Sequence, residues 1–150
     1  SHTNLGLMLS GLGRWPEAEA ELRKGLDLRK KLTDDCPGEP SHRADLAFSH
    51  NVLGNLLSGL GLYTGAEEQY RTGLTLQWEL ATEYPGVPDY RAALAYSHTA
   101  LGNLLAEMGQ LGEAVERYRE ELAIREKLTT DFPTVPDYRW DLNLSHNNLG

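Results

Sequence analysis

Ser97-His98-Thr99-Ala100-Leu101-Gly102-Asn103-Leu104-Leu105 and Ser49-His50-Asn51-Val52-Leu53-Gly54-Asn55-Leu56-Leu57 are one pattern written twice, 48 residues apart. Working outward, the same spacing carries Ser1-His2 with Leu5-Gly6 at one end and Ser145-His146 with Leu149-Gly150 at the other. It also aligns Gly13/Gly61/Gly109, Ala18/Ala66/Ala114, Leu26/Leu74/Leu122, Pro37/Pro85/Pro133, Pro40/Pro88/Pro136 and Arg43/Arg91/Arg139. Segments 49–96 and 97–144 share 22 identities over 48 ungapped positions. Self-similarity at a fixed period of this size marks a chain of stacked structural units. The sequence is therefore read as a single array, residues 1–150, with repeats 1–48, 49–96 and 97–144 and the start of a fourth at 145–150.

Inside one period the apolar residues recur at helical spacing. Leu94, Leu101, Leu104, Leu105 and Met108 make one stripe, and Ala114, Val115, Tyr118, Leu122 and Leu128 another, so each unit is expected to be two antiparallel helices. The first should open near Pro88, since proline suits a first helical turn, and close near Gly109, since glycine accepts the left-handed conformation past a last turn. A start signal for the second comes from Pro16 or Thr64, the latter pairing with Glu67 in a capping box. It should run to about Asp131, where Phe132 to Pro136, with two prolines in four residues, ends it. Gly6, Gly54 and Gly102, with Ala18, Ala66 and Ala114, are expected where two helices cross closely. A hairpin of this kind leaves a face uncovered and leans on its neighbour, which gives an all-α solenoid.

Composition narrows the class of activity. With 150 residues, 40% of them apolar, the chain can bury a core and is too apolar to be disordered. It contains no stretch near the roughly 18 apolar residues of a membrane span, and a basic-then-apolar leader is not seen. The single Cys36 cannot close an internal disulfide, which points to a reducing compartment and a cytoplasmic location. A net charge of -8 repels a phosphate backbone, so neither nucleic acid nor membrane is the expected partner. Charge runs from -1 to -3 to -4 across the three repeats; the repeated Glu113, Glu116 and Glu120 read as a solvated helix face.

The columns resemble the tetratricopeptide repeat. They read Leu101-Gly102, Gly109, Ala114, Tyr118 and Glu121 in the third unit, Leu53-Gly54, Gly61, Ala66, Tyr70 and Gly73 in the second, and Leu5-Gly6, Gly13, Ala18, Leu22 and Gly25 in the first. Their mutual spacing is that of the usual 34-residue unit, and the extra 14 residues lengthen the helices and the Pro-x-x-Pro loop. His50 and His98 stand where an aromatic often opens the motif, Glu121 where a small residue is usual, and Lys30, Trp78 and Glu126 where a proline usually closes it. The long hairpins and the Ile124 to Lys127 ending look closest to the kinesin-light-chain-like branch and to arrays attached to bacterial signalling kinases and NTPases.

That resemblance implies a right-handed superhelical solenoid acting as a non-catalytic protein-interaction scaffold, with first helices lining a concave groove for a peptide or partner helix. Mapped here, the inward face carries Thr3, Leu7 and Ser10, then Phe48, Asn51, Asn55 and Ser58, then Tyr96, Thr99, Asn103 and Ala106, then Leu144 and Asn147. The expected ligand-binding residues are Asn51, Asn55, Tyr96, Thr99 and Asn103. A side-chain amide offers a donor and an acceptor and can pair with any peptide backbone, or it can bond to a neighbouring helix. Phe48 and Tyr96 are either groove anchors or packing between successive first helices. Trp140, in place of Ala44 and Ala92, is either an anchor or packing against a further repeat, and Trp78 is a candidate contact on the convex side.

Other patterns lead to no chemistry. His2, His50, His98 and His146 recur at one position per unit, about 10 Å or more apart by helix-packing distances, too far to share one metal ion at about 2 Å per bond. They are expected to pack with a hydrogen bond between helices. Gly59-Leu60-Gly61 is a helix end and not a dinucleotide loop. Asn143-Leu144-Ser145, a glycosylation triplet, falls on an expected helix. Neither a nucleophile, an acid-base pair nor a ligand set emerges, so the chain is expected to need no cofactor and not to be an enzyme. The alternative to a scaffold is a structural spacer or a self-association module of a larger multidomain signalling protein, its open solenoid ends stacking on one another.

Overall fold

Proline cannot continue a hydrogen-bonded helix but costs nothing at its first turn, and two of the helices open on it. The computed structural model describes residues 2–132. Among these, all regular structure is helical: α1 (His2–Gly11), α2 (Trp15–Asp35), α3 (Pro40–Gly59), α4 (Tyr63–Glu83), α5 (Pro88–Glu107) and α6 (Leu111–Asp131). Glu39 and Val87, extended residues ahead of Pro40 and Pro88, cap α3 and α5 without a side-chain hydrogen bond. Each first helix is followed by a glycine in the left-handed region, Gly13 at φ 76°, Gly61 at 76° and Gly109 at 79°. A side chain there would be strained, which is why glycine recurs at this one place in the hairpin.

One expectation fails locally. Thr64 lies inside α4 rather than ahead of it, and the Leu62 carbonyl accepts the first helical bond, from the Ala66 N–H at 3.0 Å. Leu62 is therefore the N-cap, and Glu67 pairs with Arg71 at 2.7 Å instead of closing a capping box. The glycine turn places the chain in helical register one residue before the hydroxyl that would have capped it.

The described residues divide into two compact units, one up to Leu76 and the other from Gln77, the boundary falling within α4. In the first, α1 packs on α2 and α2 on α3, around Leu22, Ala47, Leu53, Leu57, Ala18 and Ala66, none more than 3% exposed. The second is built on the α5/α6 hairpin, with Leu101, Leu105, Ala95 and Leu128 wholly buried. Each such leucine contributes about 2 kcal/mol by leaving water.

The crossings are as tight as the small residues suggest. A methyl group on Gly6 would come within 2.6 Å of Leu22 Cγ, on Gly54 within 2.7 Å of the Tyr70 ring, and on Gly102 within 2.9 Å of the Tyr118 ring. Real side-chain carbons do not approach that closely, so glycine at these positions sets the helix separation. Expectations for the side chains of Thr3 and Ser10, and for Trp140, Leu144, His146, Asn147, the Asn143 triplet and the 145–150 repeat start, lie outside the described residues.

Candidate binding groove

In the first unit a cleft of about 260 Å³ lies between the α1/α2 hairpin and α3, lined by Leu7, Trp15 and Leu22 on one side and Val52, Asn55 and Leu56 on the other. Its wall is mainly apolar, and the Asn55 carboxamide is set into it. Leu7 is 47% exposed and Trp15 41%, so the hydrocarbon is open to an incoming ligand. Such a wall with one well-placed polar group suits a segment that brings an apolar anchor and a backbone to be oriented.

Asn55 does not hang freely. The Tyr70 hydroxyl, from α4, donates to Asn55 Oδ1 at 2.5 Å, and in the second unit the Tyr118 hydroxyl of α6 donates to Asn103 Oδ1 at 2.5 Å. The ring of each tyrosine rests on the glycine one residue before its asparagine, Gly54 or Gly102. One short turn of helix thus holds both the small residue that admits the ring and the amide that receives its hydroxyl. The amide oxygen is engaged within the hairpin, so what Asn55 and Asn103 offer a ligand first is the nitrogen donor.

The first hairpin replaces the whole device: Leu7 stands in the asparagine column and Leu22 in the tyrosine column, with Leu22 3% exposed. Sequence reasoning had named the asparagines and missed Tyr70 and Tyr118 as the groups that hold them. The paired change from Asn and Tyr to Leu and Leu was the available signal.

The remaining expected site residues separate. Asn51 is only 4% exposed, because Gly73 has no side chain and lets the α4 backbone close over it; a methyl group on Gly73 would stand 2.7 Å from Asn51 Oδ1. Its expected place on the open face is corrected to the α3/α4 seam. Thr99 is half-buried and its hydroxyl donates to the Ala95 carbonyl at 3.1 Å, within its own helix. Tyr96 is 49% exposed and Phe48 54%, so these rings lie at the surface of their units rather than in the cores. Trp78 is 58% exposed.

The histidine column follows the interhelical expectation in two units. His2 Nδ1 lies 2.7 Å from Glu21 Oε2, and His50 Nδ1 lies 2.8 Å from Gln69 Oε1. Accepting from His2 and Lys24 lowers the Glu21 pKa; burial lowers that of His50, against the opposing bond to Gln69. The third unit departs. His98 is 6% exposed, the residue 19 positions on is Arg117, which can only donate, and His98 Nδ1 has no hydrogen-bond partner among the described residues. Burial, then the Arg117 cation, push the His98 pKa down to about 4, against the pull of Glu121.

Among the described residues, no group of three or more His, Cys, Asp or Glu is placed to hold a metal ion. None of their helices is long and apolar enough to cross a membrane. Two family models, both described as tetratricopeptide repeat, match the chain, one over 3–35 and the other over 97–131. The first match runs from the start of α1 to the end of α2 and the second from the middle of α5 to the end of α6, which leaves the opening half of α5 outside the matched motif. No curated protein matches the chain.

Proposed function

Since this chain belongs to the tetratricopeptide-repeat family, whose arrays generally serve protein–protein interaction, we propose that it is a non-catalytic scaffold that binds a peptide or partner helix along its first helices. The observation that carries the reading is the pinned amide. Tyr70 and Tyr118 fix Asn55 and Asn103 in one orientation, so a ligand need not order them on binding, and pre-organisation of this kind reduces the entropic cost of association. Beside Asn55 the cleft offers Leu7, Trp15, Val52 and Leu56, which suits an apolar anchor. Tyr96 is a further exposed contact in the second unit.

The same reading takes the partner to be protein, not nucleic acid or membrane, given the net charge of -8, and the setting to be cytoplasmic, given one exposed thiol at Cys36. It invokes neither cofactor nor metal. Placement in the kinesin-light-chain-like branch belongs to the proposal as well, on the strength of the 48-residue period. The test is to use the whole chain as bait in a lysate beside Asn55→Ala/Asn103→Ala and to measure affinity for what is retained. The double variant should bind at least about tenfold more weakly, the loss of roughly one charge-free hydrogen bond per site. Equal retention by both proteins would refute the groove.

A second reading, a spacer or self-association module of a larger multidomain protein, draws on the apolar surface of α1 and the turn after it, where Leu5, Met8 and Leu12 are 39%, 58% and 68% exposed. It requires a mass that rises with concentration in light scattering. A constant monomer mass counts against it.

A further inference from the structure

Formal charge is sorted by helix. α1 contains no Asp, Glu, Lys or Arg, nor do residues 46–59 of α3 or 92–106 of α5. The second helices α2, α4 and α6 carry 11, 5 and 10 of them, the bulk of the 22 acidic and 14 basic residues in the sequence. Burial does not account for this by itself. On α3 and α5 the exposed positions nearer the ends hold Asp45, Asp89 and Glu107, whereas those in the middle hold Phe48, Asn55, Tyr96 and Asn103. α3 has a hairpin before it in the chain and a helix after it, and still leaves Phe48 54% exposed. The histidines of these stretches, His50 and His98, add no charge at neutral pH, because burial lowers the pKa of both.

A face of this kind selects its ligand by charge. A carboxylate, ammonium or phosphate pressed against it loses hydration and meets no counter-ion, whereas an uncharged segment loses little. Hydrogen bonding adds a second requirement. Asn55 Oδ1 is taken by the Tyr70 hydroxyl, so the amide presents its N–H group and the ligand must bring an acceptor. The uncharged acceptor that every residue carries is the main-chain carbonyl. Inside a helix that carbonyl is engaged by the N–H four residues on; in an extended segment it is open. The cleft beside Asn55 measures about 260 Å³, below the range of about 300–1,000 Å³ for small-molecule sites, and so suits one side chain.

We propose that the partner presents an uncharged, extended stretch of chain, with an apolar side chain in the cleft and a main-chain carbonyl received by Asn55 Nδ2. This rests on the groove reading above and narrows it: a helical ligand lacks the open carbonyl, and a charged chain terminus lacks a counter-ion. Phe48, seven residues before Asn55 on α3, lies two turns or about 10 Å away on the same side of the helix and gives the segment a second apolar contact.

The probe is a displayed library of random dodecapeptides selected on the whole chain, the enriched sequence then being made as a labelled peptide and titrated by fluorescence anisotropy. Enriched sequences should be depleted of Asp, Glu, Lys and Arg and share one aliphatic or aromatic position. Asp or Lys at that position should weaken binding at least about tenfold. One position of an amide-to-ester scan should weaken it about three- to tenfold, because an ester carbonyl is the poorer acceptor. Proline outside the anchor, which a helix would not tolerate, should change affinity by less than about threefold at most such positions. Asn55→Asp keeps the oxygen that receives Tyr70 and loses the donor, so it should melt within a few degrees of the parent while binding at least about tenfold more weakly. Peptides rich in charge, abolished by every internal proline or indifferent to Asn55→Asp overturn the proposal, and leave the groove standing if Asn55→Ala/Asn103→Ala still weakens them. Peptides that bind that double variant as well as the parent refute the groove itself, and the proposal with it. A selection that enriches nothing also overturns the proposal, because a dodecapeptide is long enough to supply one side chain and one carbonyl.

Discussion

Substituting Gly54 by alanine should destabilise the protein although alanine is the better helix former. Two effects compete. Replacing a helical glycine yields up to about 1 kcal/mol of propensity. Against it, the new methyl would stand 2.7 and 2.8 Å from the Tyr70 ring carbons. That ring cannot retreat cheaply: Tyr70 is 4% exposed and its hydroxyl is held by Asn55 at 2.5 Å. Inserting a methyl into a packed contact of this kind costs about 1–3 kcal/mol. Gly59→Ala on the same helix is the internal reference, because nothing lies within 4 Å of a methyl there and only the propensity gain applies. The two variants should thus differ by about 1–3 kcal/mol, at about 2–4 °C of melting temperature per kcal/mol for a chain of this size. Urea titration followed by far-UV circular dichroism, compared at constant slope, measures the difference. Adding Tyr70→Ala should abolish the penalty of Gly54→Ala, a coupling that a double-mutant cycle reads directly. If Gly54→Ala is as stable as Gly59→Ala, or if the cycle shows no coupling, the account of the crossing is wrong.

Further outcomes follow from burial. Leu128→Ala should cost about 2–5 kcal/mol, since Leu128 is wholly buried, whereas Leu32→Ala at the equivalent position of the first repeat, 48% exposed, should cost under about 1 kcal/mol; equal costs would show that Leu32 is covered in solution. Stability should also fall on acidification through His98. Its folded pKa of about 4 lies below the ordinary 6.5, so between these values the unfolded chain holds a proton that the folded chain does not. The contribution is complete above pH 6.5 and is lost progressively down to about pH 4, roughly 3 kcal/mol in all. His98→Gln should flatten that window in urea titrations at a series of pH values; an unchanged slope would show that the ring is hydrated.

How much of this was legible depends on whether a residue's role is set along the helix or across it. Pro40, Pro88, Gly13, Gly61 and Gly109 act through their own backbone angles, and the helix boundaries they imply agree with the structure to within a residue or two. Thr64 is the exception, because its capping role depends on which residue after Gly61 first turns helical. Asn51 and Asn55 sit one helical turn apart and look equivalent in sequence. What separates them is the opposite helix, where Gly73 closes over one and Tyr70 props up the other. The His98 environment was likewise readable only by comparing Glu21, Gln69 and Arg117, the three residues that face the histidine column.

The asparagine and its tyrosine also constrain how such an array can change. Leucine alone at Asn55 would strand a buried phenol, and leucine alone at Tyr70 would loosen the amide and open a void beside Gly54. The first hairpin carries both leucines. Moving a hairpin from an amide-bearing to a hydrocarbon wall is therefore a two-step mutational path with an unfavourable midpoint, and anyone wishing to reprogramme ligand choice should exchange these residues as couples, repeat by repeat.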